Sequence, residues 1–445
     1  MKTTVVNKLT TLCSIMITVI FVLLPFHAVL TVWAGSNFGH YQLFRLWIEA
    51  LLLVVTPLTA ITIYGTTGLR KLWRHDTLVW LCVAYIGWQL IMGLVALRAG
   101  WVNHTALLDG WATDIRFIAF LVVAWAIASQ RRWLAIRWRE LLLLPALLAT
   151  GFGLLQALML HADVLRHAGY GPKTITPFET VDQKLAYVRV QSTLRGPNPF
   201  GAYLVIVITA LATLILSKLR RARRMLLVLS LLAAGLVLGA TYSRSAYIGT
   251  VFAVAAVAWL SLRSPRAKQY ALIAASVCIL LVGSAFLALR HNSQFENTFF
   301  HTDEHSKSAH SSNQVRASAL KQGIQDVLHQ PLGRGAGSAG PASAHNDHPA
   351  RIAENYYLQV GQESGWLGLG LFLAINILVA IRLWQRRGEP LAIMLLASFV
   401  GLSFVNLLSH AWTDDTLGML WWGLAGISLS LPLASGAKHQ KREQA

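Results

Sequence analysis

Three short stretches carry polar residues whose types and spacing can do chemistry. In "TYSRSAYIG" (241–249), Arg244 stands between two apolar runs with almost no connector. Charge near hydrocarbon is costly, up to about 3 kcal/mol at mid-bilayer on insertion scales. Snorkelling to headgroups or pairing with a carboxylate would account for Arg244. So would an anion clamp at the membrane surface, because a guanidinium grips phosphate oxygens through two parallel hydrogen bonds. In "RVQSTLRGPNPFGAYL" (189–204), Arg189 and Arg195 precede a helix whose entry Pro197 and Pro199 fix around Asn198. Helix N-terminal amides favour an anion, and with two arginines they can hold a diphosphate. In "AENYYLQVGQESGWLGLGLF" (353–372), Glu354 and Asn355 open a helix directly after a long connector. That placement suits Glu354 to general-base work. Glu363, farther along, fits the commoner role of dipole-stabilising acid.

These side chains need a scaffold, and composition makes it a membrane one. The 445 residues are 55% hydrophobic and only 13% charged, against about 25% charged in an average soluble protein. Apolar runs long enough to cross a bilayer recur throughout. The reading is an all-α polytopic membrane protein, one integral domain over 1–445, with about twelve transmembrane helices. They fall at roughly 11–34, 46–69, 77–97, 111–129, 141–159, 199–217, 225–241, 246–262, 270–289, 360–381, 391–409 and 416–434. The first lacks a signal peptide's cleavage pattern and is read as a retained span. Within the fourth, Asp114 and Arg116 are two apart and face differently, so each is expected to pair with another helix.

Charge gives the orientation. Lys and Arg crowd into alternate connectors, as in "KLRRARR" (218–224), Arg131, Arg132, Arg137 and Arg139, and Arg382, Arg386 and Arg387. Positive charge stays cytoplasmic, which puts both termini inside and all three motifs outside. The net charge of +19 is then a topology signal, and no nucleic-acid partner is expected. Cysteine labels at Ser308 and Ser338 are expected to react from outside, and one at Ala222 is not.

Two long connectors, 160–198 and 290–359, share the outer side. The second holds an amphipathic helix over 311–330, capped by Ser311 or Ser312, with Leu320, Ile324, Val327 and Leu328 on one face. It is expected on the membrane surface or against the bundle. "PLGRGAGSAGP" (331–341) follows. No strand precedes it and no GK[ST] follows, so it reads as a flexible turn. Cys13, Cys82 and Cys278 sit in apolar runs as packing residues. The outer acids form no divalent cage, and no metal or other cofactor is expected.

In this order, the three motifs resemble the O-antigen ligase and O-antigen polymerase superfamily, integral-membrane C-type glycosyltransferases, over about residues 185–410. The resemblance implies transfer of a glycan from undecaprenyl diphosphate to an acceptor hydroxyl, without metal, at the outer face of the bacterial cytoplasmic (inner) membrane. It implies that Arg244 and Arg189 contact the diphosphate, with Arg195 a near competitor and Ser192 where a glycine is usual. Asn198, Tyr242, Ser243 and Asn355 fall in the same motifs as substrate-binding candidates. In the ligase branch a His-Asn pair opens the third motif, and its histidine activates the acceptor. Here Glu354-Asn355 occupies that place, which looks more like polymerase-type members, while His345 or His348 could bring an imidazole from the loop. Arginines would stabilise the diphosphate as it leaves, and a carboxylate could take the acceptor's proton during an inverting displacement. The acceptor is open: a lipid-linked glycan, a lipid, or a protein as in a protein O-oligosaccharyltransferase. A lipid-linked oligosaccharide flippase or transporter is the alternative of another class, and it would be expected to place charge at mid-membrane.

Overall fold

The structure is a computed structural model that describes residues 3–181, 185, 187–217, 220–262, 264–266, 269 and 312–433. Helices α1 (Thr3–Leu23), α2 (His27–Phe38), α3 (Tyr41–Arg45), α4 (Trp47–Gly65), α5 (Thr67–Arg74), α6 (Thr77–Arg98), α7 (His104–Gln130), α8 (Trp133–Ile136) and α9 (Trp138–Leu158) make the first half. A short antiparallel hairpin, β1 (Glu179–Thr180) and β2 (Val188–Arg189), leads into α10 (Pro197–Ile215), α11 (Arg221–Ala240) and α12 (Arg244–Ser261). After the helix α13 (Ser312–His329) come α14 (Tyr356–Gln385), α15 (Pro390–Leu408) and α16 (Asp415–Leu429).

Among the described residues, ten helical segments are long and apolar enough to cross a membrane. They correspond to ten of the twelve expected spans. The span expected at 270–289, with Cys278, lies outside the described residues, as do Ser308 and Ser311. The segment expected at 416–434 is the 15-residue α16, shorter than a bilayer-spanning helix and buried nearly all round. It is apolar on every face because it is the centre of the bundle. Trp422 meets Phe117 at 5.4 Å and Trp421 at 5.1 Å between ring centroids.

Two contacts set the ends of the helices that matter for chemistry. At the α12–α15 crossing, a Cβ on Gly249 would come within 2.8 Å of the Gly401 carbonyl oxygen, so the backbones touch. Beside it Phe252 and Phe404 stack at 3.9 Å. Because the two helices run antiparallel, this brings the start of α12 beside the end of α15. At the opposite end of the bundle, Arg382 of α14 grips Asp76, the N-cap of α6, through two bonds of 2.9 Å.

The glycine-rich stretch 331–341 is not a free turn. Its amides dock on α14: Gly335 N donates to the Glu363 carbonyl at 2.7 Å, and Gly337 N to Glu363 Oε1 at 2.9 Å. Gly337 has φ +84°, and a Cβ there would overlap the Ala106 carbonyl oxygen. Glycine is therefore required by close approach. Glu363 is correspondingly an anchor for this stretch. Helix α13 packs on α14 through Gly323, Asp326 and Val327, and leaves Leu320, Ile324 and Leu328 exposed. Asp114 accepts from Tyr356 Oη at 3.3 Å, and Arg116 pairs with Glu49 at 2.9 Å and with Asp415.

Docking of 331–341 also changes how orientation must be tested. Ser338 is 5% exposed, so a label there would report burial rather than sidedness. Ala350 and Ala222 are exposed and lie at opposite ends of the bundle. A cysteine at Ala350 is expected to react with an impermeant maleimide on intact cells, and one at Ala222 only after permeabilisation. The reverse pattern would put the motifs on the cytoplasmic side.

Candidate active site

The first motif begins in strand β2. Val190 N donates to the Ala240 carbonyl at 3.0 Å, which ties the strand to the end of α11. Arg189 is oriented by three acceptors: its Nε donates to the Thr241 carbonyl (3.0 Å), Nη1 to Glu179 Oε2 (3.1 Å) and Nη2 to Asn198 Oδ1 (2.6 Å). Ser192 then takes a left-handed φ of 54°. Such a conformation costs a non-glycine residue about 1–2 kcal/mol, which explains why glycine suits this place. Here two bonds hold the turn instead, Ser192 N to Gln156 Oε1 (2.7 Å) and Ser192 Oγ to the Ala149 carbonyl (2.6 Å).

The second motif is the joint between α11 and α12. Tyr242 sits at φ 50°, and Arg244 is the first residue of α12. Ser243 lies buried beneath it against α10, where a Cβ on Gly201 would come within 2.8 Å of the Ser243 Cβ. Tyr247 Oη donates to the Gly239 carbonyl at 2.6 Å and closes the turn. The joint thus rests on α10 and on the Arg189 strand, which brings Arg189 and Arg244 to one place. Gly201→Val is expected to force α10 away from the joint and lower transfer at least tenfold, with a loss of about 1–3 kcal/mol from overpacking. Activity and thermal stability both equal to the unmodified protein would show that this contact positions nothing.

The third motif reaches the same place from α14. Asn355 caps the helix, its Oδ1 accepting from Leu358 N at 3.0 Å, while its Nδ2 donates to the Leu407 carbonyl at the end of α15 (3.1 Å). Glu354, just ahead, has φ 48°. Ser192, Tyr242 and Glu354 are three of the four non-glycine residues with left-handed backbone among the described residues. One falls in each motif. Strain of this kind persists where surrounding structure imposes it, often at functional sites.

The three motifs meet on a cavity of about 800 Å³. Arg189, Arg195, Asn198, Tyr242, Arg244 and Glu354 line it, together with Glu179, His410 and Asp414. Arg195 Nε lies 3.0 Å from Asp414 Oδ2. Asp414 also caps α16 by accepting from Thr416 N and Leu417 N. Burial, opposed by Arg195, raises the Asp414 carboxyl above its ordinary value. His410 is held down to about 4, by burial first and by the Arg195 charge second.

His345 and His348 are elsewhere. Asn103 draws their turn onto the α6–α7 connection, its Nδ2 donating to the His345 carbonyl at 2.9 Å. His345 Nδ1 lies 2.6 Å from Asp109, and His348 Nε2 lies 3.0 Å from the Gly100 carbonyl. Neither lines the cavity. Sequence reasoning passed over Glu179, His410 and Asp414. The available signal for the latter two was the short connector "SHAWTDD" (409–415), which is unusually polar for a link between apolar helices on the motifs' side.

No curated protein matches the sequence significantly. Residues 228–373 match the family model described as O-antigen ligase, a stretch that contains Arg244, Glu354 and the α14 start. Over that stretch, which carries the second motif and the start of the third helix of the site, the chain is similar to the O-antigen ligase family.

Proposed function

We propose that this chain, a glycosyltransferase of the O-antigen ligase and polymerase type, moves a glycan from undecaprenyl diphosphate to an acceptor sugar hydroxyl at the outer face of the bacterial cytoplasmic membrane. The observation that carries this reading is the convergence of Arg189, Arg195 and Arg244 with Glu354 on one cavity. In the proposed step the acceptor oxygen attacks the anomeric carbon and its proton passes to the Glu354 carboxylate. The anomeric C–O bond breaks on the opposite face, and undecaprenyl diphosphate leaves with the bonding pair. Arg244 and Arg189 stabilise that developing charge without reorganising, because their positions are fixed beforehand. Glu179 and Asn198 orient the Arg189 guanidinium where it lines the cavity, a fixed positive charge for a phosphate to meet.

A lipid-linked donor also suits the cavity's apolar margin. Ile248, Leu320, Leu407 and Leu408 line it and are exposed on the bundle surface, where a polyprenyl chain could lie against them. The carboxylate at 354 favours the polymerase side of the superfamily, with a second lipid-linked glycan as acceptor. The test is reconstitution in liposomes with undecaprenyl-diphosphate glycan and a chelator, followed by mass analysis. Lengthened lipid-linked chains are expected. Transfer only to an added lipid or protein acceptor would make the chain a ligase, and no transfer would end the reading.

A further inference from the structure

We propose that His410 binds the acceptor, its imidazole holding a sugar hydroxyl beside the position from which the acceptor attacks. This rests on the glycosyl-transfer reading above. Among the described residues lining the cavity, His410 Nε2 is the one buried side-chain nitrogen or oxygen without a hydrogen-bond partner. Such a group is normally satisfied in a folded protein, and its exceptions ask for a ligand, a water or a catalytic role. The neighbouring polar groups have work already. Asn198 and Glu179 accept from Arg189, and Asp414 accepts from Arg195 and from two helix amides.

The chemistry of the missing partner follows from the charge state. Burial and Arg195 keep the ring neutral at neutral pH, so it offers one N–H and one lone pair. A phosphate is acceptor-only and suits a cationic ring, whereas an ammonium is donor-only and would face Arg195. A sugar hydroxyl both donates and accepts, and it serves either tautomer. The position is fixed rather than mobile. The His410 carbonyl accepts from Thr413 N (3.2 Å) and Thr413 Oγ1 (2.8 Å), and Asn406 Oδ1 accepts from Trp412 N (3.1 Å). Asn355 Nδ2, adjacent to Glu354, bonds the Leu407 carbonyl on the same rim. One anchor therefore sets both Glu354 and the His410 turn, as a site needs if one group holds the acceptor and another removes its proton.

The experiment measures transfer from undecaprenyl-diphosphate glycan at saturating donor onto a fluorescent glycoside of one repeat unit, with thermal stability followed in parallel. His410→Phe, which fills the space without hydrogen bonding, is expected to raise KM for the labelled repeat about tenfold or more, with a smaller change in kcat and no change in donor KM. Its melting temperature is expected to hold or rise, since an unsatisfied buried nitrogen has been removed. His410→Gln, whose amide can both donate and accept, is expected to recover part of the acceptor KM. Unchanged acceptor KM in the Phe variant overturns the proposal while leaving the transferase reading intact. A Phe variant that loses stability, with Gln no better than Phe in acceptor KM, overturns it in favour of a packing role. Absence of transfer by the unmodified protein removes both.

Discussion

Arg244→Ala is expected to lower transfer about a hundredfold or more while the protein stays folded and membrane-inserted. The estimate corresponds to losing a transition-state contact of about 3 kcal/mol, the scale on which single charge-stabilising groups act. Arg244 opens α12, so its guanidinium adds to the partial positive charge of the helix start. Two contacts made by other side chains hold the joint that carries it: Ser243 packs against Gly201, and Tyr247 Oη donates to the Gly239 carbonyl. The alanine variant should therefore lose the charge without losing the turn. Arg244→Lys is expected to recover little, because an ammonium cannot offer the planar two-donor fork. Turnover within a few-fold of normal in the alanine variant would return Arg244 to an interfacial or ion-pairing role.

The neighbouring arginines make useful contrasts. Arg189→Ala should also abolish transfer, but with some loss of stability, since the Thr241 carbonyl, Glu179 and Asn198 each lose a donor. Arg195→Ala leaves Asp414 buried without its cation, a change whose cost is chiefly structural. If Arg195→Ala were instead selectively inactive at full stability, it would be the second diphosphate ligand and Arg189 its support.

Much of this site was legible in the sequence because its parts are local signals. An arginine between two apolar runs, prolines around Asn198, and an acid-amide pair at a helix start can each be recognised within a dozen residues. What brings them together was not legible. The Val190–Ala240 bond, the Gly201–Ser243 contact and the Gly249–Gly401 crossing join residues far apart in sequence, and nothing in either partner alone announces the other. The glycine-rich stretch misled for a related reason. Local composition gives glycine's freedom, but only the docked structure reveals that Gly337 is needed for close approach to α7. Loop histidines were drawn into the site by proximity in sequence to Glu354, whereas Asn103 holds them against another connection. His410 went unremarked because it lies at a helix end far along the chain, and only the fold shows the cavity it lines.

Glu354→Gln carries the other large expectation, a loss of transfer by a factor of about 10²–10⁴ with donor binding retained. The amide keeps the shape of the carboxylate and cannot take the acceptor's proton. Backbone geometry makes this substitution cleaner than most. Glu354 sits at φ 48° between the anchored Arg351 and the capping Asn355, and Gln meets the same left-handed cost as Glu. A β-branched residue would add strain of its own and confuse the result. Glu354→Asp keeps the charge on a shorter arm and should be intermediate, since catalysis of this kind depends on reach. Glu354→His restores a base with an ordinary pKa of roughly 6.5, so residual activity should rise with pH through that range as the imidazole loses its proton. Donor binding is measured separately, by retention of labelled undecaprenyl-diphosphate glycan on the purified protein. Full transfer by the glutamine variant would remove Glu354 as the base. Loss of donor binding along with transfer would instead move its role to the diphosphate side of the cavity, where the carboxylate would be orienting an arginine rather than receiving a proton.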